Sequence, residues 1–92
     1  MNINDLRCQI DAIDLKLLAL LNERAMIVQQ IGQEKTRLSL PVYDSTREQA
    51  IFLRLSQNNS GPLSNVAIQT VFRSVIQVCT ELQKEENNRS EF

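Results

Sequence analysis

The sequence predicts an all-α fold: three helices per chain, one long, one short and one medium, in an intertwined homodimeric bundle. Three observations lead there. Apolar residues make up 42% of the 92-residue chain while only two Gly and two Pro interrupt it, a balance that suits helices. Apolar positions recur with alternating spacings of four and three. The first of these periodic segments is too long to be covered by the rest of the chain.

That first segment runs from about Asn4 to Thr36. Leu6, Ile10, Ile13, Leu17, Leu20, Ile27 and Ile31 form a heptad seam, interrupted only at position 24. A helix of roughly 33 residues reaches about 50 Å. A compact domain of this size has a radius of gyration near 12 Å and so a diameter of roughly 30 Å. Two shorter helices cannot cover such a seam, and a second copy of the chain packed alongside is the expected solution. Pro41 ends the helical possibility, so Leu38 to Val42 is a connection.

The second helix is expected over about 45–58. Ser45 followed three residues later by Glu48 has the form of a capping box. Asp44, Arg47 and Glu48 crowd the same turn, which leaves two readings: a capped helix start or the wall of a polar pocket. "NNSGPLS", residues 58 to 64, is a loop by composition. The third helix is expected over about 64–86, with Ile68, Phe72, Val75, Cys79 and Leu82 again stepping by four and three. The polar tail 85–92, "EENNRSEF", is expected to fray. The whole chain, 1–92, reads as a single domain.

Charge and composition exclude several function classes. A net charge of −1 lacks the basic footprint of general nucleic-acid binding. The longest strictly apolar run, Leu17 to Leu21, is far too short to span a bilayer. The N-terminus lacks a basic-then-apolar signal pattern, so a cytoplasmic protein is expected. Two isolated Cys provide neither a disulfide framework nor a zinc site, and the absence of His removes the usual general base and the commonest metal ligand.

Two cations stand where apolar residues belong. Arg24 interrupts the seam, and Lys35 follows it by 11 residues, almost three turns, so the two point about 20° apart around the helix. Val28 and Ile31 lie between them on that face. The cations either snorkel to solvent and pair with Glu, or they form a prebuilt anion site inside the bundle. Arg7 precedes Arg24 by 17 residues, about 25 Å along the axis. It reaches Arg24 only from a second, antiparallel copy; alone it is a solvated first-turn cation. Gln83 continues the apolar face of the third helix one turn beyond Cys79. It reads either as a polar edge residue or as part of the site. Cys79 by itself is a small core residue, and without His no nucleophilic role is expected for it.

Taken together, "LRCQIDAIDLKLLALLNER", "IGQEK", "VYDSTREQ" and "TVFRSVIQVCTELQ" resemble the all-helical class of chorismate mutases over residues 3 to 84. The ordered set Arg7, Arg24, Lys35, Asp44, Arg47, Glu48 and Gln83 carries the specificity of the match. The resemblance implies a homodimer with two equivalent sites, each taking one Arg from the neighbouring chain. It also implies the rearrangement of chorismate, a dianion, to prephenate in the biosynthesis of Phe and Tyr. That pericyclic bond shift needs no metal, cofactor, nucleophile or proton relay. It needs a substrate held compact and donors beside the ether oxygen, where negative charge grows.

By the same resemblance, Arg7 of the partner and Arg24 clamp the carboxylates, and Lys35 and Gln83 donate to the ether oxygen. Arg47 supports the carboxylate end, and Asp44 and Glu48 address the ring hydroxyl. The family often has Ser where this chain has Cys79, near a substrate carboxylate; a thiol is the weaker donor, so affinity rather than activity is expected to change. Two alternatives remain: an isochorismate pyruvate lyase of the same fold, against which Glu48 argues, and a non-catalytic helical dimerisation or regulatory module, which should have lost some of these cations. Chorismate mutase domains of this type are often fused to other aromatic-pathway enzymes, so a larger parent protein is also compatible.

Overall fold

The computed structural model describes residues 2–90; the ends of the chain, including tail positions 91 and 92, lie outside the described residues. Among the described residues there are three helices and no strand: α1 (Ile3–Arg37), α2 (Ser45–Asn58) and α3 (Asn65–Ser90). α3 packs against both α1 and α2.

α1 begins at Asn2, whose side chain accepts from the backbone N–H of Asp5 at 2.8 Å. Asp5 in its first turn and Lys35 and Arg37 in its last complement the helix dipole. The helix closes in a Schellman turn: Leu40 N–H donates to Lys35 O at 2.7 Å, and Ser39 N–H to Thr36 O at 3.2 Å. Ser39 takes the left-handed position, φ 57°, where glycine is usual. Pro41 follows, and the redirected chain brings the Val42 carbonyl within 2.9 Å of Lys35 Nζ.

The cap of α2 differs from the expectation. Asp44, not Ser45, is the N-cap, and its carboxylate accepts from Arg47 N–H at 3.0 Å. Both residue types cap well, and adjacent candidates differ only in which one adopts extended backbone; here Asp44 does, at φ −141° and ψ 94°. Ser45 is the first helical residue, so Glu48 lies one position too far along to close a box. At the start of α3, Ser64 Oγ accepts from Ala67 N–H at 3.1 Å.

The end of α3 is the second difference. The helix does not fray after Lys84 but continues to Ser90. Glu86, only 6% exposed, accepts from the amides of Gln29 at 3.3 Å and Gln33 at 3.4 Å. Thr36 Oγ1 donates to Asn87 Oδ1 at 2.9 Å. The polar tail is thus tied to α1, and these pairs satisfy side chains that a free end would leave in water.

Gly32, buried, sits at a close approach of α1 and α3: a Cβ there would lie 3.4 Å from Gln83 Cα and 3.4 Å from Glu86 Cβ. Away from this contact the chain is not compact. Its radius of gyration is 16.5 Å and its extents are 55 × 27 × 15 Å, against roughly 12 Å expected for a compact domain of this length. The accessible surface is 7473 Å², where a compact monomer of this mass would expose about 5,400 Å². Among the described residues, only Val28, Ile76 and Cys79 form a buried apolar core. Leu6, Ile10, Ile13, Leu17 and Leu20, the first five residues of the seam, are 44–60% exposed. Within one chain the N-terminal half of α1 has nothing to pack on.

Candidate active site

A cavity of about 300 Å³ opens between the C-terminal half of α1, the 42–43 connection, the start of α2 and the C-terminal half of α3. Helical spacing explains what reaches it. α1 contributes Arg24, Val28, Ile31 and Lys35, which fall on one face through steps of four, three and four. α2 contributes Asp44, Arg47, Glu48 and Ile51 from its cap and first two turns. α3 contributes Ile76, Cys79, Thr80 and Gln83, again one face.

The polar groups are organised within a mostly apolar wall. Lys35 Nζ donates to Val42 O at 2.9 Å and to Gln83 Oε1 at 3.1 Å. An ammonium only donates, so it fixes the amide oxygen of Gln83 toward itself and leaves the NH₂ group for a ligand. A third N–H of Lys35 also remains. Arg24 Nη1 donates to Cys79 Sγ at 2.9 Å, which steers the guanidinium across the cavity from α1 to α3. Asp44 spends its carboxylate on the α2 cap, whereas Glu48 is released from capping and lines the cavity.

The charge balance favours an anion. The ion pairs Arg37–Glu34 and Lys84–Glu81 are both exposed, and none of these four residues lines the cavity. Arg24, Lys35 and Arg47 therefore line it without a direct carboxylate partner. Hydrocarbon from Val28, Ile31, Ile51 and Ile76 lowers the local dielectric and strengthens their pull on an anionic ligand. No group of three or more metal-ligating side chains is found among the described residues. None of their helices is long and apolar enough to cross a membrane.

Of the residues singled out in the sequence, the structure brings Arg24, Lys35, Asp44, Arg47, Glu48, Cys79 and Gln83 to this one cavity. Arg7 is not among them; it stands on the exposed N-terminal half of α1. Tyr43 and Thr80 also line the cavity and were not anticipated. Thr80 had a signal: it precedes Gln83 by three residues and so shares its face. A second cavity of about 350 Å³ shares Arg24, Arg47 and Ile51 with the first and adds Arg54, Leu55, Asn58 and Phe72.

Comparison with known proteins agrees with this picture. The chain is 35% identical over 86 residues to a bifunctional chorismate mutase/prephenate dehydratase of Aquifex aeolicus; the match takes in 89% of this chain but only 24% of that protein. It thus spans about a quarter of the length of that bifunctional relative. Among solved structures, chorismate mutase (form II) from Thermus thermophilus superposes with a TM-score of 0.88 at 34% identity, covering 89% of this chain and 93% of that one. Chorismate mutase from Helicobacter pylori in complex with prephenate gives 0.85 at 31% identity, covering 91% of each. The family described as chorismate mutase type II matches residues 6–84, and with three helices and a cation-lined cavity between them, this chain belongs to that family.

Proposed function

We propose that the protein is a cytoplasmic chorismate mutase that rearranges chorismate to prephenate for the synthesis of Phe and Tyr, working as a homodimer without metal or cofactor. The observation that carries this reading is the convergence of Arg24, Lys35, Arg47 and Gln83 on one small cavity, with no carboxylate among the described residues ion-paired to any of them. Family membership and the likeness to a structure holding prephenate support it.

The geometry is compatible with the roles that the family resemblance implies. Guanidinium groups bind carboxylates through paired N–H donors, which suits Arg24 to one end of the dianion and Arg47 to its support. Lys35 and Gln83, locked together at 3.1 Å, present their remaining N–H groups as a pair to the ether oxygen. Charge grows on that atom only as its bond to carbon breaks, so donors preset there stabilise the transition state more than the substrate. Glu48 accepts from the ring hydroxyl. Asp44, its carboxylate engaged in the cap, acts through its backbone.

Dimerisation completes the site. The exposed seam of Leu6, Ile10, Ile13, Leu17 and Leu20 needs cover, and an antiparallel copy of α1 supplies it. Two such helices crossing near Leu15 and Lys16 place Arg7 of the partner subunit beside Arg24, where it clamps the second carboxylate.

The test is direct: chorismate loss with matching prephenate formation, blocked by a bicyclic transition-state mimic. Pyruvate released from isochorismate, with no prephenate from chorismate, would replace this reading with the lyase of the same fold.

A further inference from the structure

Among the described residues one charged side chain is buried, and the chemistry proposed above leaves it unused. Glu86 is 6% exposed and lines neither cavity. It stands two residues beyond the end of the family match at residue 84. Burying a carboxylate is costly, and hydrocarbon side chains of similar volume often join two helices at least as well. What a carboxylate adds is direction. Glu86 Oε1 accepts from the Gln29 amide at 3.3 Å, and Oε2 from the Gln33 amide at 3.4 Å. Next to it, Asn87 Oδ1 accepts from Thr36 Oγ1 at 2.9 Å. Gln29, Gln33 and Thr36 fall on one face of α1 in steps of four and three and span about 10.5 Å of its axis. Sliding or turning α3 on α1 breaks at least one of these pairs, so together they fix its register.

Register matters because of what stands one turn back. Gln83 precedes Glu86 by three residues, on the same side of α3. Both lie against Gly32, where a Cβ would be 3.4 Å from Gln83 Cα and 3.4 Å from Glu86 Cβ. From there Gln83 Oε1 accepts from Lys35 Nζ at 3.1 Å. We infer that Glu86 is a positioning residue: with Gln29 and Gln33 it locks the register of α3 on α1 and so holds the Gln83 amide at Lys35. Its part in catalysis rests on the mutase reading above; its hold on Gln83 does not. Both helices belong to one chain, so the lock is complete before a partner subunit packs on.

The chemistry of the lock dictates the variants. Gln at position 86 offers one oxygen and one NH₂ in place of two oxygens, so one amide of α1 meets a donor where it needs an acceptor. Glu86→Gln should lower kcat about ten-fold, inside the roughly 10²-fold that a misplacement of about 1 Å can cost. KM should change little, because Arg24 and Arg47 stand on α1 and α2. Adding Gln33→Glu gives the new amide a carboxylate to donate to, while its oxygen still accepts from Gln29. This swapped pair should restore kcat. Gln33→Glu alone sets two carboxylates face to face and should be at least as damaging as Glu86→Gln.

Turnover and NMR on the full chain test this. The first measures kcat and KM for chorismate, with Tm alongside, for the wild type, Glu86→Gln, the swapped pair, and Glu86→Gln combined with Gln83→Ala. A residue that acts through Gln83 costs nothing further in kcat once Gln83 is gone, while any loss of Tm recurs in both backgrounds. An unchanged kcat in Glu86→Gln, or a further loss of the same size on top of Gln83→Ala, would overturn the inference. The second follows the side-chain NH₂ signal of Gln83 in the ¹⁵N-labelled protein without substrate. It should shift in Glu86→Gln and return in the swapped pair. A signal that stays put in Glu86→Gln refutes the lock. A signal that shifts and returns in a protein unable to turn over chorismate keeps the hold on Gln83 and removes the mutase reading instead.

Discussion

Gly32 and Gln83 lie against each other across the α1–α3 contact, so close that a Cβ on Gly32 would stand 3.4 Å from the Cα of Gln83. One turn further along α1, Lys35 holds the Gln83 side chain. The gap at Gly32 thus sets how near Lys35 and Gln83 can come. Ala at position 32 just reaches ordinary contact and gains about 1 kcal/mol of helix propensity. Gly32→Ala is expected to be near neutral in thermal stability and in turnover. Gly32→Leu must force α3 away; overpacking of this kind costs typically about 1–3 kcal/mol. It should lower both Tm and kcat, because the Lys35–Gln83 pair opens. A Leu variant with normal kcat would show that the spacing of the helices does not govern the site.

Lys35→Ala removes both the ammonium and the group that orients Gln83. Loss of one preset transition-state donor lowers rates by about 10²-fold or more. The expected result is a fall in kcat of at least that size with an unchanged helical spectrum. Gln83→Ala should be smaller in effect, because Lys35 retains its Val42 anchor. Steady-state kinetics on the two variants checks the order, and a near-normal rate for Lys35→Ala would remove it from the chemistry.

Much of this was legible in the sequence, for physical reasons that differ by residue. The period of α1 and its excess length are properties of a pattern, so the uncovered seam could be read directly. Arg24 stands out because it breaks that pattern, and Lys35 because it shares the face of Arg24 almost three turns further on. The Asp44–Ser45 choice was not legible, since neighbouring cappers are decided by a single backbone angle. The extension of α3 was hidden because Glu86 and Asn87 find partners more than 50 residues away, at Gln29, Gln33 and Thr36. Composition sees only a polar tail.

Cys79 accepts from Arg24 at 2.9 Å and is buried, so its chemistry bears on where that guanidinium sits. Cys79→Ser replaces a weak acceptor with a stronger one that can also donate to a carboxylate. Activity should persist and KM for chorismate should fall a few-fold, with kcat little changed. Cys79→Ala leaves Arg24 without this contact, and KM should rise instead. Opposite signs from Ser and Ala identify the side chain as an anchor for Arg24; equal and small effects would mark it as filler.

Glu48 separates a hydrogen-bonding role from a charge role. The cap of α2 belongs to Asp44, so changing Glu48 does not unravel the helix start. If Glu48 accepts from the substrate hydroxyl, Glu48→Gln keeps an oxygen acceptor and should retain more of kcat/KM than Glu48→Ala. Equal damage from both would point to a requirement for the negative charge itself.

The sharing of sites between subunits has the most demanding test. Arg7 is exposed and stands 17 residues from Arg24 on the same rigid helix, so no bending of one chain brings them together. Arg7→Ala and Lys35→Ala homodimers should each be nearly inactive. In a mixed dimer of the proposed kind, with Lys35 from one chain and Arg7 from its partner at each site, one of the two sites receives both defects and the other receives neither. Random exchange of equal amounts makes half of the dimers mixed, each with one intact site, so activity should recover to about a quarter of wild type. The measurement is turnover after co-refolding, with heterodimer formation followed by native mass spectrometry. Mixed dimers that form and stay inactive would place Arg7 outside the site and return the binding of the second carboxylate to Arg47.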